Sequence, residues 1–181
     1  MALKATVFKA QVQITDLDRH YYETHALTLA RHPSETDERM MVRLLAFCLF
    51  AGEHLTFTRG LSSDEEPDLW QHSLTGEIEL WIEVGQPDER RLRKAAGRAR
   101  EVVVLNYAGR AADIWWQQNR DGLARLDNLR VLDLPTDGVQ TLTALAERSM
   151  DLQCTIDGGD LWIGNGRTTV ELAPSPRQAR R

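Results

Sequence analysis

The run Glu77-Ile78-Glu79-Leu80-Trp81-Ile82-Glu83-Val84 limits what this chain can fold into more than any other segment. Ile78, Leu80, Ile82 and Val84 fall on one face, and Glu77, Glu79, Trp81 and Glu83 on the other. A period of two belongs to a half-buried strand and not to a helix. Gly85 ends the run. Pro87 suits the first turn of a helix, and Asp88 and Glu89 are well placed against that helix's dipole. Upstream, Pro67-Asp68 reads as a turn. The segment thus holds one carboxylate in a turn and another at the end of an apolar strand, fifteen residues later. Two carboxylates held this way suit a divalent cation beside a phosphodiester.

The flanking sequence supplies the rest of a sheet. Thr6, Phe8, Ala10, Val12 and Ile14 alternate with polar positions and predict a strand. Asp16 to Arg19 form a polar turn, and Tyr21 to Arg31 a second strand, giving an antiparallel hairpin. Ser34 is placed to cap a helix, with Asp37 three residues on. Met40, Met41, Leu44, Leu45, Phe47, Cys48 and Leu55 recur at helical spacing, so this helix is expected to reach Arg59-Gly60. An acidic loop, Leu61 to Asp68, follows. Beyond the Pro87 helix the pattern predicts a strand at Val102 to Tyr107, a helix at Arg110 to Arg120 and a strand at Leu129 to Leu134. A helix at Gly138 to Ser149 and short strands at Leu152 to Ile156, Leu161 to Ile163 and Thr168 to Leu172 complete it. Asn165-Gly166 is a hairpin turn signal. The expected class is α/β or α+β: a mixed central sheet flanked by helices, with antiparallel edge hairpins. Residues 1–172 are expected to form one domain, and 173–181 a flexible basic tail.

Composition narrows the function classes. A chain of 181 residues can bury a real core, and 42% hydrophobic with 27% charged residues is ordinary for a globular protein. A formal net charge of -5 argues against coating nucleic acid through bulk positive charge, but allows a local cationic groove or a metal among acids. Cys48 and Cys154 have no metal-ligand spacing, and Cys48 reads as a buried thiol. The first residues lack the apolar stretch of a signal peptide, and the longest apolar run, Leu44 to Gly52, is too short for a bilayer. A cytoplasmic protein without membrane association is expected.

Several polar residues stand out. Glu53 interrupts an apolar stretch and needs solvent, a hydrogen bond or a metal. Arg90, Lys94 and Arg98 recur at i, i+4 and i+8, either as a solvated helix face or as an edge turned toward phosphate. Trp115 and Trp116 diverge by about 100° on a helix, which predicts one core and one partly exposed indole. Trp81 shares a face with Glu83 and is placed to wall it.

Read together, Gly60-Leu61-Ser62, Glu66-Pro67-Asp68-Leu69-Trp70, Leu74-Thr75-Gly76 and Trp81-Ile82-Glu83-Val84-Gly85-Gln86-Pro87-Asp88 resemble the YaeQ family of bacterial proteins, over essentially the whole chain. The resemblance implies a PD-(D/E)XK nuclease-like, restriction-endonuclease-like fold. Pro67-Asp68 matches the PD half of that motif and Glu83 the second acid, while Glu53 lies where a helix often adds another. The motif lysine two positions after Glu83 is missing, and Gly85 stands there. Gln86 is next in line to orient a water, and Lys94, about two helical turns on, to reach back toward Glu83. The implied activity is a Mg²⁺- or Mn²⁺-dependent nuclease or phosphodiesterase acting on DNA or RNA. Asp68, Glu83 and Glu53 would hold the metal, and Arg90, Lys94 and Arg98 the phosphate backbone. Gly85 and the negative net charge favour an alternative, a nuclease-like fold without turnover that binds nucleic acid or a protein. A purely structural role would leave the three acids apart on the surface.

Overall fold

In the computed structural model, which describes residues 4–181, the first two runs pair as the antiparallel hairpin of β1 (Thr6–Asp16) and β2 (Tyr21–Arg31). Helix α1 (Asp37–Phe50) follows, capped by Thr36 rather than Ser34: the Thr36 hydroxyl accepts from the Arg39 amide. Every residue from Met40 to Cys48 is buried, Arg43 included. A helix covered on all sides has no solvent face to mark its period. It stops at Phe50, not near Gly60, because Ala51 turns to extended geometry and Leu55–Phe57 forms β3. Leu55 lies seven residues after Cys48, in phase with the helix, which hides the break from a periodicity reading.

The remaining elements are β4 (Leu69–His72), β5 (Ile78–Val84), α2 (Glu89–Ala96), β6 (Ala99–Asn106), α3 (Arg110–Leu123), β7 (Leu129–Asp133) and α4 (Thr136–Thr143), then β8 (Ser149–Asp157), β9 (Asp160–Gly164), β10 (Thr169–Leu172) and β11 (Ser175–Gln178). The class is mixed α+β, as expected, but the strands form two sheets instead of one. One has the order β10-β9-β8-β1-β2, the other β11-β7-β6-β5-β4-β3. Both are mixed: β1 and β8 run parallel in the first, and β5, β6 and β7 in the second. The hairpin and terminal strands therefore build a sheet of their own and are not edges of the central one. The tail also differs from expectation. Instead of fraying after residue 172, it adds β11 to β7, and Arg177 pairs with Asp133 and Asp113.

Two cores result. The larger lies between the sheets around α1 and α4, and takes in Leu29, Leu44, Ile82, Val103, Leu105, Leu142 and Leu152. The smaller covers the outer face of the second sheet under α2 and α3, and includes Trp81, Leu92, Val102, Val104, Trp115 and Leu123. Each fully buried Leu or Ile is worth roughly 1.5–3 kcal/mol, so both faces of the second sheet are firmly held. Trp115 is buried and Trp116 only partly so, which is the division expected of the pair. Among the described residues, no helix is long and apolar enough to cross a membrane.

Candidate active site

The pairing of β4 with β5 is what brings the two acids together. Leu69 lies opposite Ile82, so the residue before Leu69 falls beside the residue after Ile82. The Asp68 amide donates to the Ile82 carbonyl at 3.0 Å, and Asp68 Oδ2 accepts from the Val84 amide at 2.8 Å. Asp68 is 2% exposed and Glu83 4%. They meet at the carboxyl end of β5, where parallel strands leave a crevice that α/β proteins use for ligands. A cleft of about 340 Å³ opens there, lined by Asp68, Glu83, Arg39, Arg91, Gln86 and Tyr107.

Each acid is held by an arginine. Arg39 Nη2 donates to Asp68 Oδ1 at 2.8 Å, and its Nη1 donates to Glu35 Oε1 at 3.0 Å. Glu35 in turn accepts from Nε and Nη2 of the buried Arg43, both at 2.8 Å. Glu83 Oε1 accepts from Trp81 Nε1 at 2.8 Å and from Arg91 Nε at 2.7 Å. Three arginines, Arg39, Arg43 and Arg91, thus meet three acids, Glu35, Asp68 and Glu83. Burial first, and then the charge of Asp68, push the Glu83 carboxyl up to about 7, against the opposing pull of Arg91 and Trp81. Two buried carboxylates whose charges oppose one another favour a shared proton or a cation. Burial also pushes the Tyr107 phenol up to about 12, so it enters the cleft as a neutral hydroxyl.

The structure separates the other residues singled out in the sequence. Glu53 is exposed in the turn after α1, at the far end of that helix from Arg39 and within electrostatic reach of Tyr21. A helix of 14 residues spans about 20 Å, so Glu53 is no ligand in this cleft. Lys94 is exposed and pairs with Glu65 at 2.9 Å instead of reaching Glu83. Arg90 is exposed, while Arg98 lies over the Trp81 ring, 5.1 Å from its centroid. Gln86 does line the cleft, but its Nε2 donates to Asn106 Oδ1 and the Tyr107 carbonyl, both at 2.6 Å, tying the end of β5 to the end of β6. Gly85 has φ +96, a conformation L side chains rarely adopt, so the position that would carry the motif lysine has left the strand.

Arg39 and Arg91 are the site residues that sequence reasoning missed. The signal for Arg91 was present: Arg91 and Lys94 share a helix face at i and i+3, while α2 ends at Ala96 and leaves Arg98 beyond it, so the expected stripe of 90, 94 and 98 does not form on one helix. For Arg39 it was the series Glu35, Arg39, Arg43 at spacing four.

The likeness to known proteins spans nearly the whole chain. The sequence profile of the family described as "YaeQ protein" matches residues 1–174. The chain belongs to the YaeQ family. It is 49% identical to "Uncharacterized protein YaeQ" of Escherichia coli (strain K12) over 172 residues, 95% of each chain. The crystal structure of the YaeQ protein from Xanthomonas axonopodis pv. citri is 51% identical and superposes with a TM-score of 0.93, covering 97% of this chain and 99% of that one. The YaeQ protein from Pseudomonas syringae, 35% identical, also gives 0.93, with 97% of each chain covered. The YaeQ fold is thus maintained down to about a third identity.

Among the described residues no cluster of three or more His, Cys, Asp or Glu gathers in a metal-binding arrangement. Asp68 and Glu83 are a set of two. Mg²⁺ keeps several waters and often takes only one or two carboxylates, so the pair still fits it. Burial first, and then the charge of Asp68, oppose ionisation of Glu83, and a cation beside the pair would relieve both.

Proposed function

We propose that the Asp68–Glu83 cleft hydrolyses phosphodiester bonds of nucleic acid with Mg²⁺ or Mn²⁺, as a variant PD-(D/E)XK site on a restriction-endonuclease-like fold. One observation carries this reading: two acids far apart in sequence are buried side by side at the carboxyl end of β5, and one of them is pushed up to about 7. Asp68 and Glu83 would hold the cation. Its chemistry when bound is to polarise a phosphoryl oxygen and to lower the pKa of a coordinated water. Arg39 and Arg91 bring fixed positive charge to the same cleft, which supports the negative charge that grows on a phosphoryl group in the transition state. Without a cation, burial pushes the Glu83 carboxyl up to about 7, so a cation held there would displace its proton. Gln86 keeps the ends of β5 and β6 in register beneath the site.

The test is cleavage of labelled DNA and RNA with Mg²⁺ or Mn²⁺ by the wild type, Glu83→Gln and Glu53→Gln. The reading expects metal-dependent cleavage that Glu83→Gln abolishes and Glu53→Gln retains. Equal cleavage by Glu83→Gln would overturn it. A second reading rests on Gly85 at φ +96 and on the arginine already held by each acid: a nuclease-like fold that binds nucleic acid or a protein without turnover. Binding without cleavage under every metal condition would select it.

A further inference from the structure

The loop between β3 and β4 lies on α2, and its contacts there are those a phosphate backbone would make. Arg91 Nη1 donates to the Asp64 carbonyl at 2.9 Å, and Nη2 to the Glu66 carbonyl at 2.7 Å. Lys94 Nζ donates to both oxygens of Glu65 at 2.9 Å. Arg98 Nη1 donates to the Glu65 carbonyl at 3.2 Å and lies 3.8 Å from Glu65 Oε2. Three cations, Arg91 and Lys94 on α2 and Arg98 just past its C-terminal end, are thereby met by acceptor oxygens along a single stretch of chain. The row begins at Glu83, through Arg91 Nε, and ends at Arg98 in the turn before β6.

The part of this loop from 60 to 66 has no apolar anchor, and burial begins only at Pro67. None of the residues from 60 to 66 is buried, and Leu61 is 46% exposed. Its attachment to α2 rests on polar contacts, most of them exposed, and Arg59 of the same loop also holds Glu66. Lys94 and Arg98 hold the Glu65 carboxyl below the usual range, so it stays charged at neutral pH. A segment so anchored is the kind that opens locally while the rest of the fold stays intact.

We propose that Arg91, Lys94 and Arg98 form the track for the phosphate backbone of a nucleic-acid strand entering the cleft, and that the Asp64–Glu66 segment occupies this track as an internal mimic the strand must displace. This rests on the nucleic-acid reading of the cleft but not on hydrolysis. The track offers phosphate contacts and no exposed indole, since Trp81 is buried beneath Arg98, so its binding is independent of base sequence.

The experiment is fluorescence anisotropy of a short labelled single-stranded oligonucleotide in EDTA, where no cleavage occurs, at a series of low salt concentrations. Glu65→Gln, at an exposed position, is expected to tighten binding about threefold or more by freeing Lys94 and Arg98. Glu65→Lys is expected to tighten it further and to steepen the log–log salt dependence by about one. In a Lys94→Ala/Arg98→Ala background, Glu65→Gln should change nothing. Unchanged or weaker binding by Glu65→Gln, or no binding by any variant, would overturn the proposal. Metal-dependent cleavage alongside an inert Glu65→Gln would remove this inference alone, and tighter binding without cleavage would remove only the hydrolytic reading.

Discussion

Asp16 and Asp68 are equally buried aspartates, each held by an arginine, at opposite ends of α1. Asp16 is satisfied within its own turn. Its Oδ1 accepts from the amides of Asp18 and Arg19 at 3.1 and 3.0 Å, and its Oδ2 from Arg19 Nε at 2.6 Å. Arg19 then spans to the Ala51 carbonyl and closes the end of the helix. Asp68 draws its partners from 29 and 16 residues away, on α1 and β5, and has a second buried carboxylate for a neighbour. Both acids border clefts of similar size, about 380 and 340 Å³. Cleft volume therefore does not distinguish them. The difference is that one acid has its charge answered locally, while the other belongs to a group assembled by three elements in which burial, more than any missing partner, pushes the Glu83 carboxyl up.

That comparison breaks most visibly in stability. Asp68→Ala leaves Arg39 partly buried with one carboxylate fewer and is expected to cost about 3–5 kcal/mol, whereas Asp16→Ala, which removes bonds within one turn, costs about 1–3. Urea unfolding measures both, and equal losses would erase the distinction. The next effect is on pH. Folded Glu83 keeps its proton to about 7 while the unfolded chain releases it near 4.5, so the folded state binds more protons across that window and the wild type loses stability as pH rises through it. In metal-free protein, Glu83→Gln is therefore expected to be stabilising by on the order of 2–3 kcal/mol above about pH 7, and to lose that advantage below about pH 4.5. A smaller change tests the missing lysine: Gly85→Lys forces a side chain into φ +96 and should cost about 1–2 kcal/mol without raising cleavage. Last, Glu53→Gln should shift stability by less than about 0.5 kcal/mol and leave metal binding untouched.

Much of this arrangement is legible in the residues. Strand β5 shows in its alternation, and Asp68 and Glu83 are exposed as a pair by the turn before β4 and by the carboxyl end of β5. The partition into two sheets is not legible, because a strand's pattern tells which faces are buried but not which neighbour it takes. Glu53 was misassigned because Leu55 continues the helical phase of α1 past its true end. The sequence places Lys94 within reach of Glu83 by helical rise, but the loop that intercepts Lys94 comes from a separate segment, and Arg91 makes the contact instead. Arg39 is reached only through the tertiary pairing of α1 with the turn at Asp68. Local periodicity carried the elements and the acids, while the counterions of those acids come from contacts made in three dimensions.

The account depends on Asp68 and Glu83 jointly holding a cation, and calorimetric titration of Mg²⁺ tests that most directly. Wild type and Glu83→Gln would be titrated below about pH 7, in two buffers that differ in ionisation enthalpy. The account predicts that Mg²⁺ binds the wild type and displaces up to about one proton from Glu83, and that Glu83→Gln binds at least about tenfold more weakly with no proton released. Absence of binding to the wild type, or the same affinity and no proton release in both proteins, would contradict it.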